Sequence, residues 1–320
     1  MGGTNARFAF RDPMGRTVFA VRLKAREYPT FEEAVGTAIE HAGVRPEWAA
    51  IAVAGPVEND RAQFTNVDWS VSADSLRSHF AFSEVHLLND FEALGHYAAT
   101  PDPSGLFVLR RGHPSSGAPR LVMGPGSGLG QSIAIPRAGP FAPSVIAAEG
   151  GHTFLPIATD DEDRLRGRLH AALGHAPTTE NVLSGSGLMR LTSAMLGENA
   201  AAYPSAAALT GAALNGDEAA RRVTTQFFNF LGSAVRNALY ATGARGGVFL
   251  AGGIVPRLIP LIAESQFLSR VTENDPCGAY LANIPITVIV AEGAALDGAW
   301  RALAAHRSLS GANGAALGFA

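Results

Sequence analysis

Lysine is almost absent from this chain, and the gap excludes whole classes of chemistry. Among 320 residues Lys24 is the one lysine, and it follows no glycine loop. A P-loop needs a lysine directly after its glycines and a protein kinase needs one on a strand facing the phosphates, so neither nucleotide architecture fits. A lysine Schiff base for pyridoxal phosphate is improbable for the same reason. Cysteine is equally scarce. Cys277 stands alone, so there is no internal disulfide and no cysteine-rich zinc site, which suits a reducing cytosol. Charged residues make up only 17% and the net charge is -3, with Arg scattered rather than clustered, so no basic field awaits a nucleic acid. A run of eighteen or so apolar residues is missing, as is a charged-then-apolar leader. The expectation is a cytoplasmic protein that binds neither membrane nor nucleic acid.

What the chain has instead is apolar material and glycine. At 47% hydrophobic residues it can build two cores. Phe8-Ala9-Phe10 and residues 17–21 flank the turn Asp12-Pro13-Met14-Gly15, a hairpin. Residues 31–42 and 72–80 carry helical patterns, and residues 48–54 form a buried strand running into Gly55-Pro56. The turn-rich segment 100–105 is read as a domain boundary. Beyond it, Val223, Phe227, Leu231, Val235 and Leu239 recur every four residues and mark a long amphipathic helix over 217–240. Strands are expected at 247–251 and 284–290, and a last helix at 293–305. The expected division is 1–100 plus 291–306 as a small domain, 101–290 as a large one, and 307–320 as a mobile tail.

Four places carry candidate chemistry. Val85-His86-Leu87-Leu88 reads as the end of a buried strand delivering Asn89 and Asp90, and ligands gather at such strand ends in open α/β sheets. Asp90 is thus placed as a general base, although an acidic residue after a strand can equally cap the next helix. Gly124-Pro125-Gly126-Ser127-Gly128-Leu129-Gly130 can point backbone N–H groups at an anion, or form only a tight hairpin. Gly252 and Gly253 end a strand and are expected to open a helix whose positive end suits a nucleotide. Glu149, His152 and Glu180 sit in loops, where single polar residues are usually just solvated.

Taken in order, GGTNAR, AGP with the later TN and W, LLNDFEALG, GPGSGLG, EGGH, ENVLSG and GGVFLAGGIVPR resemble the bacterial glucokinase family, hexokinase-like kinases of the actin and heat-shock chaperone superfamily. The resemblance implies an α/β, two-domain actin-like ATPase (ribonuclease H-like) fold with a cleft between a small and a large α/β domain. It implies phosphorylation of glucose on its 6-hydroxyl with ATP and Mg2+, and a homodimer. Asp90 would be the base, and Asn89, Asp90, Glu149, His152 and Glu180 would hold the sugar. Gly2, Gly3, Thr4 and Asn5, with Gly126, Ser127 and Gly128, would cradle the phosphates, and Gly252 and Gly253 would border the adenosine. No metal-ligating residue is assigned, and with no lysine there, stabilisation falls to magnesium, backbone dipoles and Arg7. The family motif places Asp-Val before Gly-Gly-Thr, where this chain has Met1. The expectation is therefore that an upstream strand beside the one ending at Asn89-Asp90, and its Asp, are missing. That leaves a non-catalytic sugar binder or a truncated inactive glucokinase as the alternative.

Overall fold

A computed structural model describes residues 5–64, 67–137, 143–272, 277–310 and 316–319. The chain starts in a hairpin: β1 (Asn5–Arg11) and β2 (Thr17–Lys24) pair antiparallel, with Ala9 opposite Ala20. Asp12 sets the turn, its Oδ1 accepting the N–H groups of Met14 and Arg16. Next, α1 (Phe31–Ala42) is started by the Thr30 hydroxyl, which accepts the N–H of Glu33, and is stopped by Gly43 at φ 63°. β3 (Trp48–Val53) is buried at every residue, the signature of a strand covered on both faces. A small antiparallel sheet of β4 (Val57–Glu58), β5 (Arg61–Gln63) and β6 (Ser70–Ser72) leads into α2 (Ala73–Phe80). β7 (Glu84–Asn89) then runs directly into α3 (Asp90–Ala99).

The middle of the chain supplies β8 (Leu106–Arg110), β9 (Arg120–Pro125), β10 (Leu129–Ile135) and β11 (Ser144–Ala148), followed by α4 (Asp160–Leu173), α5 (Gly185–Leu196), α6 (Ala206–Leu214) and the long α7 (Glu218–Thr242). β12 (Val248–Leu250), α8 (Ile259–Ile262), α9 (Phe267–Thr272), α10 (Gly278–Ala282) and β13 (Ile286–Ile289) follow, and α11 (Ala294–Ser310) and β14 (Ala316–Phe319) complete the described elements. The larger sheet runs β11-β10-β9-β12-β13-β8, with β12 parallel to both β9 and β13. Beside it, α7 buries Phe227, Phe228, Phe230 and Leu231 against β9 and the helices α5, α6 and α9. The fully buried Glu162 of α4 is neutralised by Arg270 of α9 at 3.1 Å and bonded by Gln226 of α7 at 2.9 Å, as a charge taken out of water requires.

Two compact units result: Phe107–Gln131 with Ala148–Val290, and Gly2–Leu106 with Ser132–Ala147 and Ala291–Ala320. The second differs from the expected small domain by including Ser132–Ala147. Its five-stranded sheet runs β2-β1-β14-β3-β7. Alternation puts Ala49, Ile51 and Val53 into one core with Phe31, Ala34 and Val35 of α1, while α3 and α11 cover the other face of β3. Two corrections follow. Residues 316–319, expected to be part of a mobile tail, form β14, antiparallel to β1 and parallel to β3. The strand ending at Asn89, beside which a missing strand was expected, is paired with β3, and β14 lies between β1 and β3.

Candidate active site

Asn89 and Asp90 share the junction between β7 and α3 but not its tasks. The Asn89 Oδ1 accepts the N–H of Phe91 at 2.8 Å and of Glu92 at 3.4 Å, so Asn89 is the helix cap. Its Nδ2 donates to the carbonyl of Gly55 at 2.9 Å. Because Val53 is paired with Asn89 across β3 and β7, the Ala54-Gly55-Pro56 turn lies beside the same strand end, and the Asn89 amide ties the two together. Capping by Asn89 puts Asp90 in the first helical turn, half-buried. Glu92, in the same first turn, has its carboxyl pushed above the usual range by burial. Ser132 Oγ donates to the carbonyl of Phe91 at 2.6 Å, fixing this first turn from β10.

In the other unit the glycine turns come together. The Gly126 N–H donates to the Gly128 carbonyl at 2.7 Å, closing the turn between β9 and β10, and leaves Ser127 exposed at its tip. Gly252, at φ 82°, lies so close to the carbonyl of Pro125 that any side chain there would clash, and the Ile254 N–H reaches that carbonyl at 3.4 Å. Residues 126–128 and 252–253 thus form one surface of bare backbone. One expectation is corrected: the double glycine opens no long helix. Residues 255–257 make a single 3-10 turn and α8 has four residues, because Pro256 and Pro260 each start a new segment.

Glu180 borders that surface. Its Oε2 accepts the N–H of Leu129 at 2.7 Å, directly after the glycine turn, and its own N–H donates to Gly151 at 2.8 Å. Glu149 and His152 lie 3.7 Å apart in the Glu149-Gly150-Gly151-His152 loop, both largely exposed, so their mutual attraction is weak and both remain available to a ligand. Gln131, buried beneath Gly150, was missed by sequence reasoning; a side chain at residue 150 would run into its amide. The signal was present, since a Gln inside an otherwise apolar strand needs a reason. Asn5 is the exposed first residue of β1, while Gly2, Gly3, Thr4, Thr65 and Asn66 lie outside the described residues.

These mixed α/β units, with glycine turns at their strand ends, share the actin-like ATPase fold of the sugar kinases. A hexokinase of the ROK family from Thermus thermophilus superimposes with a TM-score of 0.63 at 20% identity, covering 97% of each chain. Higher similarity joins this chain to a glucokinase from an Antarctic psychrotroph, with a TM-score of 0.82 and 30% identity over 95% of this chain and 96% of that one. The glucokinases of Chromobacterium violaceum and Paramagnetospirillum magneticum are each 36% identical, covering 96% and 90% of this chain and 88% and 91% of theirs. The glucokinase family model matches residues 1–306. The chain belongs to the glucokinase family.

Proposed function

We propose that this enzyme, a glucokinase, transfers the γ-phosphoryl group of ATP to the 6-hydroxyl of glucose, with Asp90 as the general base. The observation that carries the reading is the division of labour at the strand end: Asn89 caps α3, so Asp90 is not needed as the cap. Its carboxylate takes the hydroxyl proton as the oxygen attacks phosphorus. Glu149, His152 and Glu180 accept from and donate to the remaining hydroxyls, and a site built on such bonds rejects sugars lacking them. Asn89, with Oδ1 and one Nδ2 hydrogen engaged, keeps one N–H for the sugar.

The backbone of Gly126, Ser127 and Gly128 receives the phosphates, joined by Gly2, Gly3, Thr4 and Asn5, and Gly252 with Gly253 borders the adenosine. Magnesium fits as an ion carried by the nucleotide. Among the described residues no group of three His, Cys, Asp or Glu could hold a metal, and Mg2+ commonly takes few carboxylates plus substrate phosphates. Residues 126–128 would hold such an ion only through the nucleotide phosphates, and it would supply charge neutralisation for the transferring group. No helix is long and apolar enough to cross a membrane among the described residues. The reading places the enzyme in the cytoplasm, where ATP is, and takes it as a homodimer, which light scattering tests.

A coupled assay with glucose, ATP and Mg2+ tests the activity. Asp90→Asn keeps shape and most hydrogen bonding, so kcat should fall roughly a hundredfold or more with glucose affinity little changed. Undiminished turnover would remove Asp90 from the chemistry.

A further inference from the structure

The segment from Glu180 to Gly185 grips the glycine turn at both ends. At the exit, the Glu180 Oε2 accepts the N–H of Leu129 at 2.7 Å; at the entry, the N–H of Gly185 donates to the Gly126 carbonyl at 2.8 Å. Ser184 stiffens the segment between, its hydroxyl donating to the Glu180 carbonyl at 2.9 Å. The Glu180 backbone is meanwhile anchored to Gly151, inside the Glu149–His152 loop. One residue therefore stands between the loop assigned to sugar hydroxyls and the turn assigned to phosphates.

A carboxylate has about four acceptor positions, and the Leu129 N–H takes one. A hydrogen bond to an ionised acceptor is stronger than one between neutral groups, so the carboxylate's position and the first residue of β10 are not independent. Gly128 makes the dependence sharper. A Cβ at residue 128 would run into the Glu180 carboxylate, so a change in the turn displaces this side chain.

We propose that Glu180 is a positioning residue for the nucleotide as well as a ligand of the sugar, and that it couples the two binding events. This rests on the glucokinase reading above. A sugar hydroxyl that orders the carboxylate also orders the phosphate turn, and by linkage a nucleotide on the turn must favour sugar binding by the same factor.

The test measures equilibrium binding of glucose and of the non-hydrolysable analogue AMPPNP with Mg2+, each alone and in the presence of the other, by calorimetry. In the wild type each ligand should tighten the other about fivefold or more. Glu180→Ala should weaken AMPPNP binding in the absence of any sugar and bring the coupling factor to about one. Glu180→Gln, which keeps an acceptor for Leu129, should retain more AMPPNP affinity than Glu180→Ala. Gly128→Ala should weaken glucose binding in the absence of nucleotide: the clash falls on a flexible side-chain end, so the carboxylate swings away while the fold survives. A plain sugar ligand gives a different pattern. If Glu180→Ala and Glu180→Gln lose glucose affinity alone, with AMPPNP affinity and coupling unchanged, the link is refuted and the glucokinase reading stands. A wild type that binds neither glucose nor AMPPNP would overturn both.

Discussion

Asn89 shows how a single amide can be needed without reacting. Its Oδ1 closes the N-terminus of α3 and its Nδ2 holds the Gly55 turn, so removing it releases two backbone donors and one backbone acceptor together. Asn89→Ala should cost about 1–2 kcal/mol of stability, the usual worth of an N-cap, measured by urea unfolding. Asn89→Asp keeps the cap and sets a carboxylate oxygen against the Gly55 carbonyl. It should unfold closer to wild type yet lose turnover, because the strand end that carries Asp90 is no longer tied to its neighbour. Equal unfolding of Asn89→Ala and wild type would reduce Asn89 to a sugar ligand. At this scale the sequence was informative about residue type and less so about partner. That one of two adjacent polar residues caps the helix was legible; which one does so depends on backbone angles at the junction.

Periodicity made α1, α2 and α7 readable, because each buries one side on a sheet or on other helices and repeats its apolar residues accordingly. The double-glycine segment misled because its apolar residues suit a helix while Pro256 and Pro260 remove the N–H groups a continuous helix needs. α3 also carries a titration property that pattern alone does not show. His96 is half-buried and lies near His86, and burial, then His86, lowers its pKa to about 4 from an ordinary 6.5. His86 is lowered too, by burial first and then by His306 of α11, whose Nδ1 is 2.7 Å from Glu84, with Glu84 and Asp60 pulling the other way. Between pH 6.5 and about 4 the unfolded chain binds a proton that folded His96 refuses. Stability therefore falls as pH drops through that window, by up to about 3 kcal/mol from this group, and is insensitive to it above 6.5. Glu92, raised by burial, works in the opposite sense, since its folded form holds its proton longer. Urea unfolding at pH 7 and pH 5 should show the loss, and His96→Gln should flatten it. An identical slope in that variant would assign the acid sensitivity elsewhere.

Across the whole molecule, the order of the glycine turns and strand-end polar residues was legible because each is a short local signal. The pairing of distant segments was not. Residues 132–147 return to the unit of the first hundred residues through contacts such as Ser132 to Phe91, which no local pattern announces. β14 is the extreme case. It belongs to a tail from Ser308 that is mostly small and glycine-rich, reading as mobile, and its pairing is visible only where Gly318 stands beside both Ala9 of β1 and Ala50 of β3. A strand with neighbours on both sides uses its backbone groups in two ladders, so a residue without an N–H is out of place there. Gly318→Pro should lower the melting temperature by several degrees. It should also speed hydrogen exchange at Ala9 and Ala50 while leaving the amides of β12, in the other unit, protected. Turnover should fall as well, because β3 leads into the Gly55 turn and is paired with β7 up to Asn89, next to Asp90. If melting, exchange and turnover all matched wild type, β14 would contribute nothing to the sheet, and the stability of β1 and β3 would have to come from the hairpin with β2, the pairing with β7 and the helices packed on their faces.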